Sequence, residues 1–318
     1  MNARISGRNL VGLDRQELER LAASLGKAAY RGRQLYGALY ARRQTDLAAL
    51  TDLDRDFRSA LAAHYEIAYP ELQGEFLSQD GSARYLLRLH KNTSVETVYM
   101  PEEERITLCL SSQAGCAVDC RFCFTALLGL KRNLSAGEIL GQVLAVAKAR
   151  AISPGSRLNL VFMGMGEPLL NLAQVMKAVR ILADPRGFGI PLRRITISTS
   201  GIIPGMRELA RDPARPKLAV SLNASSEQQR TELMPINRKY PLRELLGACR
   251  AYPLRPRERL TFEYVLLDGF NDTDADATRL AGLVRGMRAK INLIPYNPGS
   301  ELPYRPSLSK EFWPFSNS

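Results

Sequence analysis

The feature that most constrains this fold is a strand–loop–helix alternation that repeats along the chain after residue 105. Short apolar runs rich in β-branched residues stand at 107–111, 158–163, 194–198, 217–222, 260–266 and 290–294. Between them lie stretches of helical period, at 135–150, 171–182, 225–233, 241–252 and 273–287. Ser135 followed three residues later by Glu138 reads as the reciprocal cap that starts such a helix. Six β/α units predict an α/β architecture, a parallel sheet covered by helices, either open or closed into a partial (β/α)6 barrel. Such folds place their sites at the carboxyl ends of the strands.

Two other textures precede this core. Residues 1–70 carry three short helical patterns. The first is capped by Asp14 and Glu17 and marked by Leu18, Leu21 and Leu25. The second, over 32–43, buries Leu35, Tyr36, Leu39 and Tyr40. The third runs through Leu53, Phe57 and Leu61. This small helical domain holds Arg31, Arg33, Arg42, Arg43, Arg55 and Arg58, available to face a partner. Across 76–100 the period falls to two, with strands at 85–89 and 95–99 and an Asp80-Gly81 turn, so a β-hairpin extension spanning 71–104 is expected. The expected division is therefore 1–70, 71–104, 105–306 as the core, and a tail at 307–318.

The formal charge of +12 favours a polyanionic partner. No apolar run reaches membrane-spanning length and no secretory signal opens the chain, so no membrane partner and a cytoplasmic location are expected. Four of the five cysteines fall between Cys109 and Cys123, whereas Cys249 sits alone on a helical stretch and reads as a small buried hydrophobe. A tight cysteine cluster in a large chain of this kind points to metal binding or chemistry rather than to a disulfide framework.

Cys116, Cys120 and Cys123 form C-x3-C-x2-C, with Phe124 following. Zinc sites usually take four ligands, yet no second cysteine pair follows and the only histidines are His64 and His90. Three thiolates suit a cubane cluster with one iron left open. In this spacing they resemble the radical-SAM superfamily, which implies a [4Fe–4S] cluster whose open iron chelates S-adenosylmethionine and a fold of the partial-barrel type. Gly164-Met165-Gly166-Glu167-Pro168, after the strand at 158–163, resembles that superfamily's glycine–glutamate segment.

Over nearly its whole length the chain is similar to the RlmN/Cfr family of adenine-methylating RNA methyltransferases. The similarity is carried by 95–101, 109–116, 132–134, 162–169, 197–201, 221–224, 234–237, 262–265 and 293–298. The resemblance implies that Cys116, Cys120 and Cys123 hold the cluster. It also implies that Gly166, Glu167, Ser198, Ser221, Leu222, Asn223 and Asn297 line S-adenosylmethionine, with Asn223 where the family often has histidine. Glu96 matches the family's proton acceptor. Cys109 matches its resolving cysteine, which frees a protein–RNA adduct through a disulfide. Implied partners are 23S rRNA, with transfer RNA as a second candidate, and an electron donor such as flavodoxin or ferredoxin; the overall likeness leans to carbon 2 of adenine.

The family's methyl-carrying cysteine has no counterpart here. No cysteine follows Cys249, and residues 307–318 do not resemble the family's carboxyl-terminal segment. The expectation is a chain that binds cluster and S-adenosylmethionine but transfers no methyl by the family route. The alternative role is a non-catalytic RNA-binding remnant.

Overall fold

The computed structural model describes residues 8–89 and 93–307. His90 and all but the first residue of the divergent tail at 307–318 lie outside the described residues. Among them the chain forms two compact units, one of residues 1–112, 133–164 and 173–195, the other of 113–132, 165–172 and 196–318.

The first unit opens with three helices, α1 (Arg15–Ser24), α2 (Ala29–Tyr36) and α3 (Arg55–His64). The Asp14–Glu17 cap forms reciprocally, at 2.8 and 2.7 Å, and satisfies two amides that the first turn leaves unpaired. Leu18, Leu35, Tyr36, Leu39, Tyr40, Phe57 and Leu61 are all buried, as their spacing requires. The second helix starts at Ala29, earlier than the expected 32, and after Tyr36 widens into a π turn, Gly37–Ala41. Gly32 is what lets α2 approach α1, since a Cβ there would sit 2.4 Å from the Leu18 carbonyl oxygen. The arginines expected to face a partner are largely engaged within the chain. Arg31 pairs with Asp54, Arg33 with Glu19 and Arg42 with Asp52, while Arg43 and Arg58 donate to the Ile152 and Ala48 carbonyls.

The strands of this unit are β1 (Glu71–Leu77), β2 (Ala83–Arg88), β3 (Ser94–Glu102), β4 (Arg105–Cys109) and β5 (Leu158–Phe162). The first four form an antiparallel meander, β1-β2-β3-β4, and β5 pairs parallel to β4. The hairpin extension is thus continuous with the sheet. Helix α4 (Ala136–Ala149) returns with the expected Ser135–Glu138 cap, and α5 (Leu172–Ala183) follows β5. Gln142 anchors α4 to the sheet. Its amide donates to the Ser111 carbonyl (2.9 Å), and its oxygen accepts from Thr97 Oγ1 and Ser111 N (2.8 Å each), all buried. Gln142→Leu would strand three buried polar groups and is expected to lower stability by about 3 kcal/mol in urea unfolding. A change below about 1 kcal/mol would show that the anchor contributes little.

The second unit is four parallel strands with helices between them. Its elements are β6 (Ile195–Thr199), α6 (Ile203–Arg211), β7 (Lys217–Ser221), α7 (Glu227–Leu233), α8 (Leu242–Arg250), β8 (Leu260–Leu266), α9 (Asp274–Val284) and β9 (Ala289–Pro295). The strand order is β6-β7-β8-β9. With β4 and β5, these are the six β/α strands that the alternation required. Tyr264, Phe262, Leu260 and Leu266 of β8 are essentially unexposed, which explains the near-continuous apolar run of that strand. Helix α6, after Gly201, carries Pro204 and Gly205 in its first turn, and its start is hard to read from the sequence.

Candidate active site

The cysteine loop and every residue expected to line S-adenosylmethionine fall in the second unit. The loop closes through backbone bonds. Gln113 N donates to Met165 O (3.1 Å), Lys131 N to Ala114 O (2.8 Å), Cys116 N to Gly129 O (3.2 Å) and Cys123 N to Cys120 O (3.1 Å). Gly115, at φ +76°, faces Gly129 so closely that a Cβ would lie 1.7 Å from its carbonyl oxygen, so no other residue fits. Arg121 N donates to Leu233 O (2.9 Å), and Cys120 and Phe122 pack on Leu233, Met234, Leu267 and Tyr296. These positions follow β7, β8 and β9, so the loop rests on the carboxyl edge of the four strands. The 297–299 segment joins it, since a Cβ on Gly299 would lie 2.2 Å from the Phe124 ring.

The thiols fit a polynuclear cluster. Burial pushes Cys116 up to about 11 and Cys120 higher still; the charges of Glu167 and Cys123 raise Cys116 further, and those of Cys123 and Cys116 raise Cys120. Three thiols therefore share one partly dry site. Among the described residues no three acidic, cysteine or histidine side chains converge to hold a single ion. Ligands for different corners of one cluster need no such convergence.

A residue that the sequence reading missed lies beneath them. Arg230 on α7 is fully buried. Its guanidinium donates to Asn237 Oδ1 (2.9 Å), Ser200 O (2.6 Å) and, more weakly, Ser221 O (3.4 Å). Its Nε makes no hydrogen bond among the described residues. Burial pulls its pKa down to about 10, opposed first by the Cys120 thiol and then by Glu227. A cation this deeply buried is costly, and an anionic thiolate-ligated cluster is the kind of group that would add to that compensation.

Glu167 is a hub. It is 3% exposed, its Oε2 accepts from Ser200 N and Oγ (2.7 Å each), and its Oε1 accepts from Leu169 N (3.0 Å). Its own amide donates to Gln113 Oε1 (2.8 Å). Burial pushes its pKa up, against the pull of those donors. The Thr199 side chain also hydrogen-bonds the carboxylate, so its four or so acceptor sites are met by Ser200, Leu169 and Thr199, and a cationic ligand group would take the place of one of the two hydroxyls, which can rotate away. Gly166, at φ +98°, lets the segment pass close to Gln113, since a Cβ on it would lie 2.5 Å from Gln113 Cβ.

The remaining expected residues occupy strand ends. Ser198 is buried near the end of β6, and Ser221 closes β7. Leu222 is fully buried, so only its backbone could meet a ligand. Asn223, at φ +54°, is occupied structurally, its Oδ1 accepting from Val265 N (3.0 Å) and its carbonyl from Asn271 Nδ2 (2.9 Å). Asn297 is exposed just past β9.

Glu96 and Cys109 belong to the first unit. Glu96 on β3 is half-exposed and ion-paired with Arg84 on β2. Cys109 ends β4, is buried, and has its thiol pushed up to about 12 by burial. The expected disulfide is not formed: all five cysteines are free, and Cys109 is held as a thiol by its dry surroundings. Cys249 is buried, as expected.

Comparison with known proteins agrees with this geometry. Residues 110–281 match the radical SAM superfamily, and residues 8–67 match the ribosomal RNA large subunit methyltransferase N-terminal domain. The chain is 48% identical to the dual-specificity RNA methyltransferase RlmN of Anaeromyxobacter sp. (strain Fw109-5), over 93% of this chain and 80% of that protein. It is 47% identical to that of Syntrophobacter fumaroxidans, over 89% and 82%. A crystal structure of a radical SAM methyltransferase from Sphaerobacter thermophilus superposes with a TM-score of 0.92 at 41% identity, covering 98% of this chain and 91% of that one. The chain belongs to the RlmN family of radical-SAM RNA methyltransferases.

Proposed function

We propose that this protein methylates carbon 2 of an adenosine in 23S rRNA, and in transfer RNA, with a [4Fe–4S] cluster and S-adenosylmethionine. The observation that carries the reading is the three-thiol loop seated, within one unit, beside the Glu167 hub at the carboxyl edge of β6–β9. Cluster and S-adenosylmethionine together supply a carbon radical able to react at a ring carbon that has no useful nucleophilicity. Cys116, Cys120 and Cys123 hold three irons. Glu167 accepts from the amino group of S-adenosylmethionine as the Ser200 or Thr199 hydroxyl turns aside. Ser198, Ser221, Asn297, and the backbone at Gly166, Leu222 and Asn223, line its other groups. Arg230 balances the negative charge of the thiolates from below.

Glu96 would take the ring proton, which requires that Arg84 release it on RNA binding. Cys109, as a thiolate, would attack the sulfur of a methyl-carrying cysteine, the S–C bond to the base breaking as the S–S bond forms and the released carbon taking up a proton; a base must first remove the Cys109 proton, which burial holds firmly. The electron enters from a small donor of the flavodoxin or ferredoxin type, and the reaction takes place in the cytoplasm.

The protein, reconstituted with iron and sulfide and given a reductant, is expected to form 5′-deoxyadenosine from S-adenosylmethionine. Absence of 5′-deoxyadenosine would overturn the reading. Label appearing at carbon 2 of an adenosine in RNA, when the methyl group carries it, would uphold methylation.

A further inference from the structure

We infer that the amino edge of β7–β9 is a second docking surface for the phosphate backbone of a folded RNA, remote from the cysteine loop on the carboxyl edge. The inference rests on the RNA-directed reading above. In a parallel sheet, the connections entering the strands gather at the amino edge. Three of them, 211–217 into β7, 250–259 into β8 and 285–290 into β9, hold ten arginines and lysines and only two acids, Asp212 and Glu258. A net +8 of the chain's +12 is therefore brought to one edge.

Part of this charge has an ordinary explanation. Arg211 and Arg250 occupy the last turns of α6 and α8, where the helix dipole favours a cation. Arg215 is buried and pairs with both oxygens of Glu258 at 3.3 Å, and Arg255 donates to the Arg215 and Pro213 carbonyls. Arg288 is exposed but donates to the Leu254 and Arg255 carbonyls (3.2 and 3.4 Å). What remains is Arg257, Arg259, Arg285 and Lys290, all exposed, with Lys217 half-buried. Arg257 and Arg259 make no ion pair among the described residues, because the acid between them in sequence is committed inward to Arg215.

Strand register holds these cations together. Leu260 pairs with Ala289 and Thr261 with Lys290, so Arg259 and Arg288 enter adjacent strands side by side. Lys290 lies near enough to Lys217 to reinforce the lowering of its pKa that burial causes. Arg257, Arg259 and Arg288 line an open cleft of about 540 Å³ with Glu258, Met287 and Ala289. Arginine forks suit phosphate oxygens, and like charges held this close repel one another until a polyanion screens them. None of the large exposed apolar side chains among the described residues falls in these three connections, which disfavours an anionic membrane that such side chains would enter. Contacts of this kind fix the position of RNA without reading its sequence.

The test is fluorescence anisotropy of the full chain, cluster-reconstituted, with a structured RNA hairpin across a salt series. The triple variant R257Q/R259Q/K290Q is expected to bind at least about tenfold more weakly at low salt, and its log–log salt slope to flatten by about 2. Its affinity for S-adenosylmethionine should be unchanged, and its melting temperature equal or higher because repulsion is relieved. R257K/R259K, which keeps the charge, should retain most of the binding. Wild-type binding with an unchanged slope in the triple variant would overturn this surface and leave the RNA reading standing. Failure of the wild type to bind RNA at any salt would overturn that reading, and this inference with it. Loss of binding to phosphatidylserine vesicles in the triple variant, with RNA binding intact, would replace RNA by a membrane and also overturn the inference.

Discussion

Cys116→Ala, Cys120→Ala and Cys123→Ala are each expected to abolish the iron–sulfur chromophore of the reconstituted protein, and with it all 5′-deoxyadenosine formation. Two thiolates cannot hold three corners of a cubane, and Glu167, the acid whose charge acts on Cys116 and Cys120, is already bound by Ser200 and Leu169. The matched controls are Cys109→Ala and Cys249→Ala, which remove buried thiols outside the loop and should retain iron. Iron and sulfide analysis, with the visible spectrum, separates the two groups. If a loop variant kept full iron loading, or if Cys249→Ala lost it, the ligand assignment would be wrong.

Glu167→Gln is expected to weaken S-adenosylmethionine binding by about 10- to 100-fold, the value of one charge-assisted hydrogen bond of about 1.5–3 kcal/mol. The substitution keeps the volume of the side chain but replaces one acceptor oxygen by an amide donor, among donors that already face it. Glu167→Ala should do more. Ser200 N, Ser200 Oγ and Leu169 N would lose their buried acceptor, so stability is expected to fall by about 3 kcal/mol or more together with affinity. Isothermal titration with the ligand and urea unfolding read the two effects apart. Equal ligand affinity in Glu167→Gln and wild type would confine Glu167 to a structural role.

The contrast between Glu167 and Arg230 shows which parts of the site could be read in the sequence. Cys116, Cys120, Cys123 and Glu167 stand out as candidates in the sequence because their spacing, after a strand or before a helix, has few other uses. Arg230 does not, since an arginine on a short polar stretch such as 225–233 looks like surface, and only tertiary packing buries it beneath Cys120. Asn223 reads as a ligand contact by position, whereas in the fold its amide is used to bind Val265 and hold a left-handed turn.

The fold divides in the same way. The β strands after residue 105 emerged from apolar runs because parallel strands buried on both faces are nearly continuous in hydrophobicity. The capped helices α1 and α4 emerged from Asp14–Glu17 and Ser135–Glu138. Strand β1 did not stand out, because its Glu71–Leu77 segment is exposed on both faces and lies at the sheet edge with only β2 as a partner, leaving no period to detect. Nor could composition foresee that the arginines of the first three helices bind their own acids and carbonyls, while Arg257 and Arg259, without an ion pair among the described residues, lie at the amino edge of β7–β9.

The most direct test of the central claim is electron paramagnetic resonance and Mössbauer spectroscopy of the anaerobically reconstituted protein, with and without S-adenosylmethionine. The account predicts about four irons per chain in a cubane cluster with one distinguishable iron. The spectrum of the reduced cluster should shift on adding S-adenosylmethionine and keep its unshifted form in Glu167→Gln at the same ligand concentration. A mononuclear or two-iron site, or a cubane whose spectrum ignores S-adenosylmethionine at saturating concentration, would contradict it.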